Sequence, residues 1–114
     1  MNVQLEMFES LHADFKIYAD NEMDVLQFKS KIIEICSVLA SYSFYCERKF
    51  IITQLKKTLN EISLISKKAC KCAMVTTGYL LDVVGCLEMI IMLVKENEAI
   101  ITTDGATSYS GILL

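Results

Sequence analysis

The chain has 114 residues, is 54% hydrophobic and carries a net charge of −3 at pH 7. This length suits one domain with its own core, and the apolar content excludes a chain that is disordered throughout. An acidic chain whose one arginine is Arg48 also lacks the basic excess of a dedicated nucleic-acid binder, so nucleic acid is the least favoured partner. The chain has no proline and 4 glycines, which begin at Gly78, so long helices are predicted.

The first predicted helix is amphipathic. Its apolar face consists of Phe8, Leu11, Phe15 and Tyr18. These residues follow one another at steps of three and four, which is the spacing of one helical face. A break is predicted near residue 20, where Asp20 or Asn21 is a candidate N-cap for the next helix.

The most regular stripe in the chain predicts the second helix. It consists of Val25, Phe28, Ile32, Ile35, Leu39, Tyr42 and Cys46. Steps of three and four over about three heptads are typical of a helix that packs against other helices. We predict that the residues of this stripe from Val25 to Tyr42 form part of a contact face for a second copy of the chain. A second turn is expected between residues 41 and 48.

The third predicted helix combines an apolar face with a lysine edge. Residues 47–71 carry seven basic and two acidic groups, a balance of +5, whereas the segments before and after each sum to −4. Lys49, Lys56, Lys67 and Lys71 fall within roughly 60° of one another at 100° per residue. This edge either packs beside the acidic neighbouring helices or contacts an anionic membrane surface, for which these four lysines are the candidates.

Residues 72–94 form the longest apolar run, and two interpretations of it stay open. At 1.5 Å per residue the run is long enough to cross a bilayer of about 30 Å. Asp82 and Glu88 inside it offset most of the favourable insertion energy, which favours the central helix of a small bundle over a span. Gly78, Asp82 and Gly85 share one side of this helix and are predicted as a second contact strip, where another helix can approach closely.

No catalytic, cofactor or metal site is predicted. The sequence has no Gly-rich phosphate loop and no zinc-protease or hydrolase motif, and its single histidine is His12. Cys70 and Cys72 lie two residues apart and therefore point to nearly opposite helix faces, which disfavours a zinc site. The odd number of cysteines, 5, and the acidic start of the chain favour an intracellular, reducing compartment, cytoplasmic or membrane-associated.

The sequence therefore predicts an all-α fold, a small antiparallel bundle of three or four helices with a short non-helical C-terminal tail. Residues 1–98 are assigned to the helical domain and residues 99–114 to a flexible tail or a marginal hairpin around Asp104-Gly105. The predicted function is a non-enzymatic protein-interaction or self-association module, with itself, as a homodimer, or another helical protein as its partner. A membrane-associated protein that uses residues 72–94 as a span or interfacial helix is the alternative. A carrier of a hydrophobic ligand, with Met74, Met89 and Met92 lining a cavity, is third.

Overall fold

The structure, a computed structural model, describes the backbone of residues 2–110 and the side chains of residues 2–99. In chain order the elements are α1 (Val3–Tyr18), β1 (Met23–Asp24), α2 (Val25–Tyr45), α3 (Lys49–Ala69), β2 (Met74–Val75) and α4 (Thr77–Ser110). The described part of the chain thus has four helices, which confirms the predicted all-α bundle. The expected breaks near residue 20 and between residues 41 and 48 are both present.

Consecutive helices run antiparallel and close into a ring. α4 packs against α1 and α3, and α2 completes the ring by packing against α1 and α3 as well. The direction of α1 against α4 is fixed by two pairs, in which Glu9 meets Lys95 and His12 meets Glu88. The loop between α2 and α3 lies at one end of the bundle, and the other two loops meet at the opposite end.

A two-residue antiparallel bridge joins the two loops that share one end. Met23 pairs with Val75 and Asp24 with Met74, and the Val25 amide donates to the Ala73 carbonyl at 2.9 Å. The side chains of Met23 and Val75 are fully buried, so this bridge closes the end of the core. It also holds the start of α2 beside the start of α4.

Asp24 is the N-cap of α2, and not Asp20 or Asn21 as the sequence suggested. Its carboxylate accepts hydrogen bonds from the amides of Leu26 at 2.9 Å and Gln27 at 3.3 Å. The helix begins later than expected because the backbone of Met23–Asp24 is extended in the bridge. The pairing of Met23–Asp24 with Met74–Val75 therefore sets the start of α2, whereas local propensity predicted an earlier start.

The regular stripe of α2 lies inside the single chain. Phe28, Ile32, Ile35, Leu39 and Tyr42 are buried, and Val25 is half-buried against the same core. The Phe15 and Phe28 rings meet edge to face at 6.1 Å and join α1 to this stripe. The prediction that the stripe meets a second copy is corrected here, because its side chains already fill the space between α2 and the other helices.

The last helix is longer than its bundle neighbours. α4 has 34 residues against 21 in α3, and its backbone continues through Asp104-Gly105 to Ser110. A hairpin at Asp104-Gly105 is therefore not formed, because extending an existing helix needs no new nucleus, whereas two strands alone are marginal. Residues 111–114 and the side chains of residues 100–110 lie outside the described part, so the predicted flexible tail stays a prediction.

Candidate functional site: the outer face of α4

The outer side of α4 is apolar at its centre and acidic at its edges. We call it the α4 face and define it as Gly78, Leu81, Asp82, Gly85, Met89 and Met92, all exposed. Leu81 is 52% exposed, Met89 44% and Met92 53%. Large apolar side chains that remain half exposed along one side of a helix indicate a surface that a partner can cover. The predicted strip Gly78, Asp82 and Gly85 belongs to this face.

The two glycines of the α4 face have no packing role inside the chain. A Cβ atom built at Gly78 or at Gly85 would meet no atom within 4 Å. A glycine inside a helix costs about 0.5–1 kcal/mol relative to alanine, so Gly85 weakens α4, and neither glycine eases an internal contact. What they provide is an open stretch of backbone on the outside of the bundle, where another surface can approach closely.

A groove separates the α4 face from α3. Its volume is about 520 Å³, and its α3 wall consists of Thr58, Glu61, Leu64 and Ile65. Leu81, Asp82, Gly85, Cys86 and Met89 line the α4 wall. The missing side chain at Gly85 opens this wall, and Leu64 adds a further exposed apolar surface beside Leu81. The groove is open along its length and matches the shape of a helix or a ridge of side chains.

The groove has a negative edge. Burial raises the pKa of the Cys86 thiol to about 11, and the carboxylates of Glu61 and Asp82 add to this increase. The buried thiol is consequently protonated near neutral pH and is not a nucleophile. Neither carboxylate belongs to an ion pair among the described side chains. The negative charge of this edge therefore faces solvent.

A second groove lies between α4 and α1. It has a volume of about 480 Å³, and Ile91 and Met92 form its apolar wall. His12 Nε2 lies 3.1 Å from the Glu88 carboxylate, and Lys95 Nζ lies 3.6 Å from Glu9. These pairs attach α1 to α4. The described residues include no cluster of three or more side chains that could hold a metal ion.

A buried polar cluster lies at the end of the bundle where α2 meets α3. Asn97 Nδ2 donates to the Tyr42 hydroxyl at 2.7 Å, and that hydroxyl donates to Glu98 at 2.9 Å. The Tyr42 hydroxyl donates its proton to a carboxylate, so it can only accept a hydrogen bond from Asn97. The Asn97 amide must therefore turn its Nδ2 atom toward Tyr42. Its Oδ1 atom is left buried without a donor. Burial also raises the pKa of Tyr42 well above its usual value.

The four candidate lysines are all exposed. Lys49, Lys56 and Lys67 lie on the outside of α3, and Lys71 follows in the turn after it. Lys49, Lys56 and Lys67 share one side of α3, whereas the α4 face lies across the groove from this helix. The two parts of the predicted contact face are thus separated, since the stripe of α2 is in the core and the glycine strip is on α4.

The methionines assigned to a ligand cavity do not come together. Met74 lies in β2 at one end of the bundle, and Met89 and Met92 lie on the outside of α4. All three side chains are exposed, and the two larger grooves beside α4 are open. Met89 and Met92 belong instead to the α4 face. Their spacing from Gly85, four and seven residues, is the signal by which the sequence could have assigned them to it.

By length and composition, α4 could cross a membrane. The segment Thr77–Ala99 has a mean hydropathy of 1.8 over its most apolar window, of which 44% is buried inside the bundle. Core helices of soluble proteins pass the same test. The chain was also compared with protein-family models, curated proteins and solved structures, and no match was found. The assignment of function therefore depends on the geometry of the chain itself.

Proposed function

We propose that the protein is a non-enzymatic self-association module, in which two copies pack their α4 faces together about a two-fold axis at Gly85. The supporting observation is that the α4 face leaves half-exposed apolar side chains around glycines that the fold does not need. A second copy gives both features a role, since it covers the apolar side chains and approaches the exposed backbone closely at the two glycines.

The pattern of the α4 face is symmetric about Gly85. Leu81 and Met89 lie four residues before and after it, and Gly78 and Met92 lie seven before and after. In an antiparallel two-fold contact centred on Gly85, residue 85−n of one copy meets residue 85+n of the other. Each Leu81 then packs beside a Met89, and each Met92 fills the space at a Gly78. Large residues meet small ones, as close helix packing requires.

The expected affinity is modest. Complete burial of a leucine or methionine side chain contributes ~1.5–3 kcal/mol, and the three side chains on each copy are already about half buried. Six half-exposed side chains give roughly 5–9 kcal/mol before the cost of association is subtracted. An association cost of about 4 kcal/mol or more leaves at most about 5 kcal/mol, so we expect a weak dimer with a Kd of roughly 0.2 mM or above.

The charges of the α4 face predict how the dimer responds to salt. Asp82 and Glu88 border the apolar centre of each copy, so the dimer brings the Asp82 and Glu88 carboxylates of both copies close together. Salt screens this repulsion. The dimer should consequently tighten as salt is added, which is the opposite of an association that depends on ion pairs.

Sedimentation equilibrium of the whole chain tests this proposal with substitutions at one position. Gly85→Ala should stabilise the fold by about 0.5–1 kcal/mol, because the new Cβ meets no atom of the chain, and yet weaken the dimer. Gly85→Leu should abolish the dimer while urea unfolding shows an intact fold. Ile33→Glu, at an exposed apolar position of α2, is the matched control and should leave the dimer unchanged.

Two results would refute the self-association proposal. One is a monomer at millimolar concentration in high salt, and the other is a dimer that Gly85→Leu leaves intact. A dimer that Ile33→Glu disrupts would instead identify the outer side of α2 as the contact. If only a mixture with another helical protein forms a complex and Gly85→Leu prevents it, the face is correct and the partner is different.

A membrane-associated protein is the second candidate, favoured by the hydropathy and length of Thr77–Ala99. Insertion would require α4 to leave α1 and α3 and would bring Asp82 into the hydrocarbon core at a cost of about 2.5–3.5 kcal/mol. Alkaline extraction of expressing cells tests it. Protein that stays in the pellet would support a span, and protein released by alkali would contradict it.

A further inference from the structure

The cations of α3 are not used to hold the bundle together. Residues 48–71 contain seven Lys and Arg residues, all of them exposed. Among the described side chains, the ion pairs are His12 with Glu88, Lys31 with Asp14 and Lys95 with Glu9. Every one of these pairs joins α1 to α2 or α4, and none includes a residue of α3. The acidic neighbours of α3 therefore do not neutralise its lysines through direct contact.

These cations form a straight basic face. Lys49, Lys56 and Lys67 lie within about 20° of one another at 100° per residue and span about 27 Å along the helix. Arg48 precedes this line and Lys71 follows it. Glu61 is the carboxylate within residues 48–71 and faces the groove toward α4, and Glu47 directly precedes this stretch. Because this row of lysines is long and few carboxylates lie near it, it attracts an extended anionic surface.

Apolar side chains lie beside the lysines. Phe50 is 64% exposed and Leu64 is 58% exposed, and both project from α3 on the side of Lys57. Long lysine side chains beside exposed apolar residues are typical of helices that lie in a membrane interface, where the ammonium groups reach the headgroups. Lysines carry point charges without the planar donor pairs that read base edges, so this face lacks the side chains for sequence-specific recognition of a duplex.

We propose that α3 docks lengthwise on an anionic lipid bilayer, with its lysines among the headgroups and Phe50 and Leu64 in the interface. Each lysine near an anionic leaflet strengthens binding by up to about five-fold, and this attraction is screened by salt. The proposal does not depend on self-association, because the lysines and Phe50 do not line the groove beside the α4 face, and Leu64 is the residue that both surfaces share. Asp82 and Glu88 disfavour contact of the α4 face with the same leaflet.

Co-sedimentation of the whole chain with vesicles tests the electrostatic part. Vesicles of phosphatidylcholine containing phosphatidylserine are compared with vesicles of phosphatidylcholine alone, at low and at physiological salt. The double variant Lys56→Gln with Lys67→Gln should weaken binding to the anionic vesicles by about 30-fold. The matched control is Lys16→Gln with Lys29→Gln, which removes the same charge from exposed positions of α1 and α2 and should change binding less than about two-fold.

The apolar part is tested by Phe50→Ser, with Leu26→Ser as the control at an exposed apolar position of α2. Phe50→Ser should reduce vesicle binding by about ten-fold and the control should not. Equal binding to both kinds of vesicle, or equal effects of the two lysine pairs, would overturn the proposal. The proposal would also be overturned if the chain bound a DNA duplex but no vesicles in the same assay, and if Phe50→Ser left the binding to DNA unchanged. A parent chain that forms the dimer but does not bind the anionic vesicles would refute this proposal alone.

Discussion

The buried cluster of Tyr42, Asn97 and Glu98 predicts how the free energy of unfolding changes when one of its hydrogen-bonding groups is removed. Tyr42→Phe removes the hydroxyl that accepts from Asn97 Nδ2 at 2.7 Å and donates to Glu98 at 2.9 Å. Asn97 is 2% exposed, so its amide would then be buried without a partner at either end. An unsatisfied buried donor costs about 1–3 kcal/mol, and the lost bond to a carboxylate adds to it. We expect Tyr42→Phe to lower the free energy of unfolding by about 2–3 kcal/mol.

Asn97→Leu should have a much smaller effect. It removes the Oδ1 atom that has no donor, and Tyr42 keeps Glu98 as its acceptor. The leucine side chain is larger than that of asparagine by roughly two methylene groups, and overpacking at this buried site offsets the gain, so we expect the variant to stay within about 1 kcal/mol of the parent chain. The double variant Tyr42→Phe with Asn97→Leu should recover most of the loss caused by Tyr42→Phe alone, because neither end of an amide is then left unpaired.

Urea unfolding followed by circular dichroism measures these three variants against the parent chain. An unchanged slope with denaturant would show that the variants alter stability and not the extent of unfolding. A Tyr42→Phe variant within about 0.5 kcal/mol of the parent, or an Asn97→Leu variant that loses more than about 2 kcal/mol, would refute the argument. Either result would mean that the Asn97 amide has another hydrogen-bond partner, such as a bound water, in solution.

Three further predictions concern stability. Because burial raises the pKa of Cys86 from 9.0 to about 11, its thiol contributes stability below pH 9 that is lost as the pH rises toward 11, by at most about 1.4 kcal/mol per pH unit. Cys86→Ala should flatten that part of a pH titration of unfolding, and an unchanged slope would contradict the assignment. Asp24→Ala should cost about 1 kcal/mol in urea unfolding, whereas Asp20→Ala, at the cap expected from sequence, should cost almost nothing. Phe28→Ala should cost about 3–5 kcal/mol, and a loss below about 1 kcal/mol would exclude its packing on Phe15.

The sequence by itself determined the fold class and most of the core. Apolar residues at steps of three and four fix which side of each helix is buried, because that spacing aligns them on one side whatever the helix packs against. The faces predicted for α1 and α2 are accordingly the faces found in the core. The breaks near residue 20 and between residues 41 and 48 were also predictable, since the periodicity or the helix propensity changes there.

Only the tertiary structure decided which apolar stripes are used inside one chain. α1 and α3 pack against the stripe of α2 and cover it, so it is not available to a second copy. Leu81, Met89 and Met92, in contrast, remain exposed on α4. Periodicity shows that a face will be covered but not what covers it. The pairing of Met23 with Val75, which moves the start of α2 to Asp24, likewise joins residues that are 52 positions apart. A contact over that separation depends on how the helices pack, and neither local spacing nor propensity encodes it.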